Sequence, residues 1–318
     1  MNNTHRVAVL LAAYNGSKYI SQQIVSICNQ KDVSVKIFIS IDYCTDDTYQ
    51  IAKHMSKYDS RIIILPYGKR FGSAAKNFFR LISEVDFTHF DYVSFSDQDD
   101  IWFHDKLFRA ITIIKKQKYD AYSSNIIAFW ENGRYKKINK AQKQKKYDHL
   151  FEAAGPGCTY VLRKELIETV QSAINDRIIT CENVILHDWF LYTYIRIKEF
   201  RWYIDKHSTM LYRQHPYNEV GANIGFNAFL YRTKKILQGE GFLQIQEVLK
   251  IAYEGKNHFL NGLKNNDRSV FLSVIPRVFE CRRKRTDSVI LLISCILLYF
   301  LSGVRFRFNK NPLLITHK

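Results

Sequence analysis

Three carboxylates fall within four residues at Asp97, Asp99 and Asp100, in the run Ser-Phe-Ser-Asp-Gln-Asp-Asp-Ile-Trp. Groups this close repel one another unless a cation neutralises them, and an oxygen donor set selects Mg2+ or Mn2+. A fourth carboxylate, Asp42, stands in Ile41-Asp42-Tyr43-Cys44-Thr45-Asp46-Asp47-Thr48, where a single acceptor suits the imide N–H of a uracil or thymine ring. Asp46 and Asp47 are explained more simply as caps of the helix that follows. Asp188, in His187-Asp188-Trp189, has the type required to take a proton from a hydroxyl, and a helix N-terminus there would hold it ionised. Arg213-Gln214-His215 forms a polar cluster after an apolar run. Tyr14-Asn15-Gly16 offers an aromatic face at a turn, and Lys76 opens a helix whose terminus can meet phosphate.

These residues need elements to hold them. Val7–Tyr14, Val35–Ile41, Arg61–Leu65 and Asp91–Ser96 are apolar or β-branched runs. Between them and after them, residues 17–29, 46–58, 74–85 and 105–116 carry helical spacing. Short connections and no hairpin dipeptides predict right-handed βαβ units on a parallel sheet. Ligands of such sheets bind beyond the carboxyl ends of the strands, where Tyr14, Asn15, Asp42 and Asp97–Asp100 then gather. Further on, 185–197 reads as a helix and 210–215 as a strand. Apolar positions at 226, 229, 230 and 237 and at 245, 248, 249 and 252 read as amphipathic helices.

The chain has 318 residues, a net charge of +17 and six scattered cysteines without a CxxC pair. That cysteine usage fits free thiols and argues against a disulfide scaffold or structural zinc. Residues 1–130 hold 16 basic and 13 acidic side chains, so a surplus of 14 lies beyond them and calls for an anionic partner. Nucleic acid is not that partner, because no groove-reading motif presents the charge. Seven basic residues and no acid occupy 133–147, a solvated segment or a flap over a phosphate-bearing substrate. Gly155-Pro156-Gly157 after it marks a sharp corner or a close approach. Val289–Leu301 is almost wholly apolar but short of the about 20 residues that span a bilayer. With Arg282-Arg283-Lys284-Arg285 before it, it reads either as a core helix or as one docked on an anionic leaflet.

Taken together, Ala-Ala-Tyr-Asn-Gly-Ser-Lys at residues 12–18, Asp42 with Thr45-Asp46-Asp47-Thr48, Ser-Asp-Gln-Asp-Asp-Ile-Trp at 96–102 and His187-Asp188-Trp189-Phe190 resemble the family 2 glycosyltransferases. The segment Tyr212–Asn223 is similar to the bacterial rhamnosyltransferase-like branch. The resemblance implies an α/β fold of the GT-A type over residues 1–223, with a helical, membrane-associated region over 224–318. It implies a nucleotide-sugar site at Ala13, Tyr14, Asn15, Asp42, Lys76, Asp97 and Gln98. It further implies a divalent metal on Asp99 with His215, Asp188 as catalytic base, and His187, Trp189, Arg213 and Gln214 on the acceptor side. The implied reaction is inverting transfer from a nucleoside-diphosphate sugar, dTDP-L-rhamnose before UDP-hexoses, to a lipid-diphosphate-linked glycan. That acceptor implies a cytoplasmic enzyme peripheral to the inner membrane face. Three departures stand out: Ile41 replaces a frequent first carboxylate, Cys44 stands where Ser is usual, and Pro216-Tyr217 replaces Gly-Asn. A sugar nucleotidyltransferase would carry a Gly-rich basic loop at the first strand, unlike Tyr14–Lys18. A non-catalytic scaffold would tolerate loss of Asp99 and Asp188.

Overall fold

The computed structural model describes residues 4–176, 184, 186–216, 218, 240–264 and 268–305. Two compact units divide the chain: Met1–Lys143 with Glu152–Asn223 and Ile251–Tyr253, and Gln144–Phe151 with Ile224–Lys250 and Glu254–Lys318.

The first unit is built on one mixed sheet. From Val7 on, β1 (His5–Ala13) is buried on both faces, as a near-continuous apolar run in a parallel sheet must be. It pairs in parallel with β2 (Val33–Ile41) on one side and β4 (Tyr92–Ser96) on the other, and β3 (Ile62–Ile64) extends the β2 edge. The expected parallel βαβ series is therefore present, with α1 (Ile20–Cys28), α2 (Thr48–Tyr58), α3 (Ala74–Glu84) and α4 (Lys106–Gln117) as its helices. The strand order reverses between the parallel neighbours β1 and β4, which makes the crevice at which ligands collect.

Beyond β4 the sheet becomes mixed, in the order β3-β2-β1-β4-β8-β6-β9-β5. Here β5 is Ile101–Trp102, β6 is Ala121–Trp130, β8 is Val161–Arg163 and β9 is Trp202–Gln214. The expected strand at 210–215 thus starts eight residues earlier, at Trp202. Its polar Asp205 is accommodated because Arg109 and the Tyr122 hydroxyl donate to Oδ2 at 2.8 and 2.9 Å. Within the basic run, β7 (Tyr135–Ile138) pairs antiparallel with β6 and leaves Lys136 and Lys137 exposed. Two further helices, α5 (Lys164–Asn175) and α6 (His187–Ile197), complete this unit.

In the second unit, α7 (Glu240–Ala252) buries Ile245, Val248, Leu249 and Ala252, and the terminal helix α8 spans Arg285–Arg305. The helix expected around 226–237 lies outside the described residues. The basic run before α8 is only half available to a partner. Arg283 is buried against Asp148 at 3.1 Å, and Arg282 donates to the Phe151 carbonyl and to Asp287. Lys284 and Arg285 are exposed. No helix among the described residues is long and apolar enough to cross a membrane.

Candidate active site

The turn after β1 is stitched to the two neighbouring strand ends. The Gln98 amide clamps Tyr14: its Oε1 accepts from Tyr14 N and its Nε2 donates to Tyr14 O, both at 2.8 Å. The clamp explains Gly16, where a Cβ would stand 2.2 Å from Gln98 Oε1. Asn15 takes a left-handed backbone (φ 47°) and accepts from Thr45 N. Gly16 N donates to Thr48 Oγ1, and Ser17 N to Asp46. Asp46, expected as a cap, accepts from Thr48 N and also ties α2 to this turn.

Asp42 is buried at the end of β2, its backbone N–H donating to Ala13 O. Its carboxylate accepts from Tyr43 N, Phe71 N and Gly72 N, each at 2.8 Å. A carboxylate offers about four acceptor sites, so two hold the loop between β3 and α3, one takes the adjacent Tyr43 amide, and one is left for a ligand. Exposed Tyr14 and Tyr43 flank it, and Tyr43, Tyr67 and Tyr49 form a stack with centroids 6.1 and 4.1 Å apart. Lys76 is exposed in the first turn of α3, where Ser73 caps the helix.

The acidic loop between β4 and β5 has an outer and an inner layer. Asp99 Oδ2 lies 2.7 Å from His215 Nε2 and accepts from Asn218 Nδ2 at 3.2 Å. The His215 ring stacks on Tyr19 at 5.1 Å. Arg213, expected on the acceptor side, instead braces this loop. Its Nε donates to Asp99 O and its N–H to Asp100 Oδ1, while a terminal nitrogen reaches Gln22. Its guanidinium is sandwiched between Tyr19 and Phe129 at 4.5 and 4.6 Å. Gln214, also expected to meet the acceptor, is buried and turned back on the Arg213 carbonyl.

Beneath lie Asp100, Cys158 and Lys106, all fully buried. Ligand atoms of Asp97, Asp100 and Cys158 fall within 4.8 Å of one another. Burial, reinforced by Asp99 and Asp97, pushes the Asp100 carboxyl well above the usual carboxylate range. Burial likewise raises the Cys158 thiol, and lowers Lys106, whose Nζ sits 3.6 Å over the Trp102 ring, to about 7. Burial therefore favours the protonated forms of these two acids.

Asp188 is in the first turn of α6, its Oδ1 accepting from Trp189 N at 2.7 Å. Loss of hydration raises its carboxyl to about 6, against the lowering influence of the Trp189 and Gly157 amides and of Lys140. Gly157 meets a steric demand: a Cβ there would lie 2.6 Å from His187 Nε2 and 3.1 Å from Asp188 Cβ. The Gly-Pro-Gly segment is thus a close approach as well as a corner. Lys140 is fixed beside it, its backbone N–H donating to buried Asn125 at 2.6 Å. His187, expected to face the acceptor, stacks on Phe78 at 4.0 Å, and burial depresses it to about 3, so it stays neutral. Trp189 is half-buried on the same turn.

A continuous path of contacts joins these groups. Asp42 bonds to Ala13, Tyr14 is clamped by Gln98, Asp97 and Asp100 adjoin Cys158, and Gly157 abuts Asp188. Sequence reasoning missed Tyr19, Gln22, Lys140 and Asn218, which support the site from a helix, a basic segment and a loop. Tyr19, Lys140 and Asn218 adjoin or fall within segments that pointed to them, the turn at 12–18, the basic run at 133–147 and Tyr212–Asn223, whereas Gln22 carried no signal.

The glycosyl transferase family 2 model matches residues 8–170. The chain is 43% identical to dTDP-rhamnosyl transferase RfbG of Shigella flexneri over 91% of its own length and 100% of that protein. It is 31% identical to the UDP-Glc:alpha-D-GlcNAc-diphosphoundecaprenol beta-1,3-glucosyltransferase WfaP of Escherichia coli, over 38% of this chain and 46% of that enzyme. The mannosyltransferase PcManGT from Pyrobaculum calidifontis, solved with GDP-Man and Mn2+, superposes with a TM-score of 0.53 at 12% identity, covering 95% of this chain and 76% of the other. The fold is of the GT-A type.

Proposed function

Because the chain belongs to glycosyl transferase family 2, we propose that it moves L-rhamnose, with inversion, from dTDP-L-rhamnose to a lipid-diphosphate-linked oligosaccharide in bacterial polysaccharide assembly. The donor follows the 43% identical relative, and the lipid-linked acceptor follows the glucosyltransferase relative. The observation that carries the reading is the path of contacts from Asp42 to Asp188 along one sheet edge, at the reversal between β1 and β4.

In this reading the base lies between Tyr14 and Asp42, whose remaining acceptor site takes the imide N–H. Ala13, Asn15, Lys76, Asp97 and Gln98 shape the ribose and diphosphate end. The donor set fits a divalent cation: the Asp99 carboxylate and the His215 imidazole already meet at 2.7 Å, and Asp97 lies two residues away in the same loop. When bound, Mg2+ or Mn2+ offsets the charge that grows on the leaving diphosphate. Asp188 accepts the acceptor hydroxyl proton as that oxygen bonds to the anomeric carbon and the carbon–diphosphate bond breaks. Trp189 walls the acceptor side. The protein works at the cytoplasmic membrane face, held there peripherally.

A donor screen with purified protein tests this. Release of dTDP from dTDP-L-rhamnose, dependent on acceptor and on added divalent metal, is expected. Release of pyrophosphate from a nucleoside triphosphate in the presence of a sugar 1-phosphate instead would establish nucleotidyl transfer and overturn the reading.

A further inference from the structure

The opposite faces of α8 are both apolar, and only one is covered. Leu291, Cys295 and Leu298 are buried together with Ser288 and Ser294. Val289, Ile293, Ile296, Leu297 and Phe300 are 46, 52, 40, 44 and 71% exposed. At 3.6 residues per turn these five fall within an arc of about 100°, opposite the buried set. No charged residue interrupts the sequence from Ser288 to Ser302. The stripe is therefore a contiguous exposed patch of five large apolar side chains on one helix face, of the kind that marks interaction sites.

We propose that α8 lies flat on an anionic bilayer, with this stripe immersed at the boundary between headgroups and acyl chains and with Lys284 and Arg285 on the headgroups. The apolar run is too short to span, whereas an interfacial helix needs only one apolar face and basic flanks. The exposed charges at its start have the sign that anionic lipid attracts. A second copy is the poorer occupant, because a stable protein interface buries about 800 Å2 on each partner. The inference names the surface behind the membrane-bound acceptor reading and rests on that reading, but it is measured without catalysis.

The test is co-sedimentation of the full chain with phosphatidylglycerol-containing and pure phosphatidylcholine vesicles. Binding to the anionic vesicles is expected, falling at least about tenfold in Ile293→Glu/Leu297→Glu. Thermal unfolding and transfer to a water-soluble acceptor analogue should stay unchanged, since both positions are exposed. Undiminished binding by the double variant overturns the assignment, as does equal binding to both vesicle types. A wild-type dimer that the double variant converts to monomer, with no vesicle binding by either, assigns the stripe to a second copy and also overturns it. If vesicle binding behaves as expected but no sugar reaches any lipid-linked acceptor, the functional reading fails and the docking face stands.

Discussion

Asp188→Asn should abolish transfer and stabilise the protein at once. Lost hydration holds the Asp188 carboxyl at about 6 rather than 3.8. A folded value above the unfolded one means that the folded state binds the proton more tightly. Ionising the group therefore costs stability as pH rises from about 4 to about 6, and above that the penalty is constant. The shift of about two units sets a ceiling of about 3 kcal/mol. Partial hydration at the half-buried turn brings the expected gain in Asp188→Asn to about 1–2 kcal/mol, or roughly 3–6 °C. The amide keeps an acceptor for Trp189 N, so the helix start is preserved. All four tryptophans, Trp102, Trp130, Trp189 and Trp202, lie in the first unit, so intrinsic fluorescence reports the unit that contains Asp188. The expected result at pH 8 is a higher melting temperature and kcat/KM lower by about 10²–10⁴. Near pH 4 the difference in melting temperature should vanish, and the wild type should lose kcat/KM about tenfold per pH unit below 6. A variant less stable than wild type at pH 8, or equally stabilised at both pH values, would refute the argument.

Gly16→Ala places a Cβ 2.2 Å from Gln98 Oε1 and should break the clamp on Tyr14. The donor KM should rise about tenfold with a smaller change in kcat, and Gly16→Ala/Gln98→Ala should be no worse than Gln98→Ala. Asp99→Asn removes the outer carboxylate paired with His215. Nucleoside diphosphate release should fall at least about 10²-fold, with half-saturation by Mn2+ moved upward in a metal titration. Arg283→Met strands the buried Asp148 carboxylate and should cost the second unit about 3–5 kcal/mol in urea unfolding followed by far-UV circular dichroism. The double variant Arg283→Met/Asp148→Leu should be much less affected, because no uncompensated charge remains.

Much of the fold was legible because its first half is locally consistent. Val7–Ala13 is apolar enough to be buried on both faces, which by itself indicates a parallel sheet, while Val35–Ile41 buries Val35, Ile37, Ile39 and Ile41 on one face. The third helix, expected over 74–85, runs over Ala74–Glu84. Legibility failed where distant partners decide. Trp202–Ser208 reads as too polar for a strand until Arg109 and Tyr122 are seen to satisfy Asp205. The run Arg282–Arg285, open to a core or a membrane-docked reading, divides only once Asp148, 135 positions away, claims Arg283. Charge runs betray their sign in a sequence, but not which of their members are already paired.

The same reasoning explains the site. Carboxylates announce themselves, because a buried strand ending in Asp97–Asp100 is costly without a purpose. Their supports do not, because Tyr19, Gln22 and Asn218 are ordinary residue types that acquire meaning only through contact. Residue type also misled at His187 and Arg213, since an imidazole and a guanidinium next to reactive groups look like substrate ligands. Phe78, 109 positions before His187, holds its ring, while Arg213 spends its donors on Asp99 O and Gln22. Glycines gave a subtler sign. Gly16 and Gly157 each mark a place where a side chain crosses the backbone within 3 Å of a missing Cβ, Gln98 in one case and His187 in the other. A glycine beside a strand end or helix start, where no left-handed backbone requires it, therefore points to the side chain packed against it. At this sheet edge those side chains are Gln98, clamped to Tyr14, and His187, next to Asp188.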